Sequence, residues 1–144
     1  MNQVSLKNSD EWFNQFARNA LVYRVMDEAM AGATDDTRIR AIACLGKQKD
    51  PRAVVTLMDC CRDKNPEIRV SAIDALDNIR SGRAVPTLVE RVEDGSEELD
   101  IRCHAATALA NIHTNLAVTI LLDRVNDDEE DPALREYVAM LVSR

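Results

Sequence analysis

The stretch Ile101 to Val125 is a near copy of Ile68 to Val92 displaced by 33 positions, and this self-similarity constrains the fold more than any other feature. Set back by 31 positions, the same template falls on Thr37 to Cys61. Set forward by 33, it falls on Leu134 to Arg144. A unit of this length cannot bury its apolar faces alone. Stacking against a neighbour buries them, which is the physical reason for the unit to recur.

Each copy reads as two helices. Ile68, Ala72, Leu76 and Ile79 fall on one stripe of a first helix, and Val85, Leu88, Val89 and Val92 on a stripe of a second. The next copy gives Ile101, Ala105, Leu109 and Ile112, then Val118, Leu121, Leu122 and Val125. The first copy gives Thr37, Ala41, Leu45 and Gln48, then Val54, Leu57, Met58 and Cys61, and departs from the pattern at Thr37 and Gln48. Asp50-Pro51, Ser81-Gly82 and Thr114-Asn115 break each copy into a hairpin. Between copies, Asn65-Pro66 and Asp131-Pro132 place a capping residue before a proline at the first helical position. The acidic link Gly95 to Asp100 absorbs the two extra residues of the middle unit.

Ahead of the array, Ser9 is positioned to cap a helix carrying Trp12, Phe13, Phe16, Ala20 and Tyr23, running as one helix or a bent pair to about Met30 and ending at Gly32. Val22, Val25, Met26 and Ala29 match Val54, Leu57, Met58 and Cys61, so this segment reads as the degenerate second helix of a capping unit. At the other end only a first helix remains, with Leu134, Val138 and Val142 on one side and Tyr137 and Leu141 beside them. That helix is either a cap or a surface that packs on a partner or on a second copy as a homo-dimer.

The recurring residues are an aliphatic-Arg start and a later Ala-Leu: Ile68-Arg69 with Ala75-Leu76, Ile101-Arg102 with Ala108-Leu109, and Thr37-Arg38 with Cys44-Leu45. The second helices open Ala84-Val85-Pro86-Thr87-Leu88 and Ala117-Val118-Thr119-Ile120-Leu121. Over about residues 35 to 144 this resembles the short HEAT-like repeats named after phycobilisome lyases. The tetratricopeptide and ankyrin signatures are absent. The resemblance implies an all-α fold, a right-handed α-solenoid of HEAT-like helical hairpins. The expected organisation is one continuous domain with a capping region 1–34, repeats 35–65, 66–98 and 99–131, and a half repeat 132–144.

Five aromatic residues among abundant Ala, Leu, Val and Ile suit closely packed helices. A net charge of −7 repels phosphate backbones, and basic residues alternate with acids along the chain. No segregated basic face, and so no nucleic-acid partner, is expected. No apolar run reaches the roughly 18 to 20 residues that span a bilayer, so no membrane role is expected either. With neither a secretory leader nor a C-x-x-C pair, the expected compartment is the cytoplasm.

Arg38, Arg69, Arg102 and Arg135 recur at one template position, and Asp63, Asp94 and Asp127 precede the following Arg by six to eight residues. Each Asp is expected to pair with the Arg of the next repeat, a structural ladder of the kind HEAT-like repeats use. Cys44 and Cys61 fall on apolar positions, whereas Cys60 and Cys103 fall off the stripes and are expected nearer the surface. His113 closes a helix, where a cation suits the dipole. HEAT-repeat deoxyhypusine hydroxylases bind iron through His-Glu pairs; the dipeptides here are His104-Ala105 and His113-Thr114, which leaves that activity without residues to carry it. Neither a phosphate loop nor a nucleophile elbow occurs.

The sequence therefore leads to an expectation of no catalytic, cofactor or metal residues. What remains is a non-enzymatic module that binds a protein partner on its concave surface. By the resemblance that surface is formed by the second helices, with Thr87, Glu90, Arg91, Ile120, Asp123 and Arg124 as the contact strip and Thr56, Asp59, Cys60 and Asp63 their counterparts in the first copy. The resemblance also implies an alternative, a phycobilin lyase or chaperone-like subunit handling a tetrapyrrole-bearing protein.

Overall fold

The computed structural model describes the backbone of residues 3–144 and the side chains of residues 11, 15 and 17–144. Eight helices and no strand occur among them: α1 (Gln3–Ala31), α2 (Asp35–Gln48), α3 (Val54–Cys60), α4 (Pro66–Ile79), α5 (Val85–Glu93), α6 (Leu99–Ile112), α7 (Asn115–Asn126) and α8 (Pro132–Val142). The first helices α2, α4, α6 and α8 pack in succession as one layer, and α1, α3, α5 and α7 lie in the other. The result is a helical solenoid of hairpins.

Leu45, Leu76 and Leu109 occupy equivalent places and are fully buried, as are Leu57, Leu88 and Leu121 on the second helices. The first helices also bury a stripe that the repeat template did not single out, Ile42, Ile73 and Ala106. Such a helix is covered by the helix before it, the helix after it and its own partner, so one amphipathic stripe understates its buried surface. Where the covering stops, the pattern fails. Leu122 is 44 % exposed, and on α8 it is Leu141 rather than Val142 that is buried. Gly46 permits the close approach of α2 to α4, since a Cβ there would lie 2.7 Å from the Ala75 Cα.

Helix ends follow the turn chemistry. Asp50, Ser81 and Thr114 accept the N–H groups of Arg52, Arg83 and Ala117, while Asn65 and Asp131 cap α4 and α8. Three successive turns share a further feature: Lys49, Arg80 and His113 all sit at positive φ, 52°, 56° and 56°. Glycine adopts this left-handed position after a helix freely, whereas other residues pay roughly 1–2 kcal/mol for it. Gly32 is not at positive φ, but a Cβ on it would meet the Glu28 carbonyl oxygen at 2.6 Å. Because α1 begins at Gln3, Ser9 lies within it and not at its start. The side chains of Trp12, Phe13 and Phe16 lie outside the described residues; Ala20 and Tyr23 are exposed.

Candidate functional site

The arginine ladder exists, but in a different register from the one read in the sequence. Arg38 pairs with Asp63 at 2.6 Å, Arg69 with Glu97 at 2.7 Å and Arg102 with Glu130 at 2.8 Å. Each arginine thus reaches forward to the link that closes its own repeat. It also reaches back to the main chain: Nε of Arg38, Arg102 and Arg135 donates to the carbonyls of Ala29, Val92 and Val125, and Arg69 donates to those of Asp63 and Lys64. Asp94 and Asp127 take no part in the main pairs. Asp94 accepts the N–H and hydroxyl of Ser96, and Asp127 accepts the Glu129 N–H. Glu97 and Glu130 are themselves one repeat apart in the sequence, but so are Asp94 and Asp127, and repeat spacing alone does not separate the two sets.

Each buried glutamate holds a second arginine. Arg91 lies 3.1 Å from Glu97 and Arg124 lies 3.3 Å from Glu130. Burial pushes the Glu97 carboxyl up, but its bonds from Arg69 and from the Glu98 N–H outweigh this and hold it below the usual range. Asp63 is held low by the same opposition of burial against the Arg38 hydrogen bond and the Asn65 N–H.

These pairings redraw the strip on the second helices. Arg91 and Arg124 are turned into the stack, with side chains only 16 % and 21 % exposed, and Thr87 is completely buried. Cys60 is buried as well, its thiol directed at the Ala29 carbonyl at 3.8 Å. Of the six contact residues, Glu90 and Asp123 remain exposed and Ile120 is half-buried. With Asp59 they form a row of carboxylates at one template position in three consecutive second helices. Arg62 bridges the first two, 2.6 Å from Glu90 and 4.0 Å from Asp59. The strip is therefore acidic, because the stack consumes its other cations.

The histidines lie elsewhere. His104 on α6 faces α4, with Nδ1 2.7 Å from Asp74 and Nε2 3.8 Å from Asp100, while His113 ends α6 nine residues away. Among the described residues no three His, Cys, Asp or Glu side chains are grouped to hold a metal ion. This donor set does not fit an iron centre built from His-Glu pairs. Nor is any described helix long and apolar enough to cross a membrane.

Residues 24–99, more than half of the chain, match the family model described as HEAT repeats. No curated protein matches the chain. Among solved structures, human deoxyhypusine hydroxylase in complex with glycerol is similar, with a TM-score of 0.77 at 20 % identity. The match covers 90 % of this chain and 45 % of that one, so the chain spans less than half the length of that protein. At this identity the likeness is one of fold. It nevertheless corrects the expectation of a non-enzymatic binding module. The same kind of helical stack serves there in an enzyme, so the repeat fold by itself does not argue against enzymatic function. The lyase alternative gains no support from it either.

Proposed function

The chain belongs to the HEAT-repeat family, and on that premise we propose that it works in an enzyme, as a helical body that holds a positively charged group of the substrate against Asp59, Glu90 and Asp123. The observation that carries this reading is the inward turn of Arg91 and Arg124, which leaves the exposed row with more carboxylates than cations. Consecutive second helices lie roughly 8–10 Å apart, so a polypeptide in the polyproline II conformation, with three residues per turn and a rise of about 3.1 Å per residue, would bring a cation at every third residue to the row. The likeness to deoxyhypusine hydroxylase supports the enzymatic part. The reacting centre is not assigned to the described residues, which group no three His, Cys, Asp or Glu side chains to hold a metal ion.

Calorimetric titration tests the proposal with a lysine-bearing peptide, its acetylated form and a peptide carrying deoxyhypusine. The cationic peptides are expected to bind, with affinity that falls as salt rises, and to bind roughly tenfold more weakly to the Asp59→Asn, Glu90→Gln, Asp123→Asn variant. Equal binding of the acetylated peptide, or no binding at all, overturns the proposal.

Two narrower assignments accompany it. The Ile68-Arg69 and Ile101-Arg102 starts support the short phycobilisome-lyase subtype of repeat. Four free cysteines, two of them buried, support a reducing compartment such as the cytoplasm.

A further inference from the structure

The solenoid sorts its charges by edge. One edge gathers the links between repeats and carries the exposed acids Glu93, Glu98, Asp100, Asp128, Glu129 and Asp131, with Arg62 and Lys64 of the first link as exposed cations among them. The opposite edge gathers the turns within repeats. There Lys47, Lys49, Arg80, Arg83 and Arg144 are all exposed and make no ion pair among the described residues. The continuity of this edge is visible in its contacts. Arg52 of the first turn donates to Asn19 on α1 at 2.6 Å, and the turn Gly82–Ala84 packs on α3. A Cβ on Gly82 would lie 3.7 Å from the Thr114 side chain, and His113 and Arg144 line one pocket. Only Asp50, already bound to Arg52, opposes these cations within the turns.

We propose that this turn edge is a docking surface for an acidic segment of a partner protein. Net charge does not oppose it. A first helix of 14 residues separates the two edges by about 21 Å, more than two screening lengths of about 8 Å at physiological salt. A second observation is conformational: Lys49, Arg80 and His113 fill three consecutive left-handed positions where glycine would be free of strain, and so place long or polar side chains at the same point of each rung. Rungs roughly 8–10 Å apart match acids at every third residue of a peptide in the polyproline II conformation, which has three residues per turn, rises about 3.1 Å per residue and so returns every third side chain to one face. A nucleic acid fits less well. The second-helix N–H groups that would take phosphate are capped by Asp50, Ser81 and Thr114, and the Tyr23 ring already has the Arg52 guanidinium over it at 5.9 Å.

Fluorescence anisotropy of a labelled peptide with glutamate at every third residue tests the surface, using two variants of equal charge. Lys49→Gln, Arg80→Gln, Arg83→Gln removes the edge, whereas Arg24→Gln, Arg40→Gln, Lys64→Gln removes exposed cations elsewhere. The edge variant is expected to bind roughly tenfold more weakly and the control like wild type. Equal weakening in both, an absence of peptide binding by the wild-type chain, or tighter binding of a DNA duplex overturns the proposal. Arg80→Gly separates docking from helix capping: melting no lower than wild type with weaker peptide binding supports docking. Lower melting with unchanged binding makes the cation a cap and sinks the inference.

Discussion

Replacing Glu97 by alanine tests the register of the ladder. Its side chain is 1 % exposed and accepts hydrogen bonds from Arg69 Nε at 2.8 Å, Arg69 Nη2 at 2.7 Å and Arg91 Nη1 at 3.1 Å, as well as from the Glu98 N–H. Removing it leaves two guanidinium groups, each 16 % exposed, with Asp94, 3.6 Å from Arg91, as the remaining nearby anion. Breaking a fully buried pair costs about 3–5 kcal/mol, and because Arg69 keeps two main-chain carbonyls and both groups touch water, about 3 kcal/mol is expected here. For a chain of this size that loss lowers the melting temperature by roughly 6–12 °C. Asp94, the acid that the repeat spacing points to, is 33 % exposed and serves mainly to hold Ser96. Asp94→Ala should cost only about 1 kcal/mol. Circular-dichroism melts and urea titrations of the two variants decide the matter. An Asp94→Ala loss equal to or larger than that of Glu97→Ala would refute the pairing.

Leu76→Ala and Leu109→Ala should each cost about 2–5 kcal/mol in urea titrations, because both side chains are fully buried at equivalent points of the stack. Gly46→Ala should destabilise by about 1–3 kcal/mol in the same assay, since the new methyl group would press on the Ala75 backbone; an unchanged midpoint would show that α2 and α4 can separate freely. The Glu97 carboxyl is held low in the folded chain, so its stabilisation is present above the usual glutamate range and disappears as pH falls through the folded value. Melting followed from neutral pH to about pH 3 should therefore decline less steeply for Glu97→Gln than for wild type, and parallel declines would contradict this assignment.

Local information was sufficient for the parts of the molecule that depend on neighbours along the chain. Apolar spacing located the first and second helices, and Asp50, Ser81, Thr114, Asn65 and Asp131 all cap where turn chemistry put them, because capping is decided within three residues. Contacts across repeats were only partly legible. The recurrence of Arg38, Arg69 and Arg102 signalled a ladder, but the nearest acids in sequence were not their partners. A guanidinium spans the stack and bonds whichever carboxylate the link folds inward, here Glu97 and Glu130, 28 residues downstream. That same choice drew in Arg91 and Arg124 and turned a strip of mixed charge into a carboxylate row. The alternation of acids and bases along the chain also concealed their separation in space. First helices of 14 residues each return the turns to one edge and the links to the other, so a row of exposed cations interleaved with acids in the sequence gathers at the turns only when the hairpins stack.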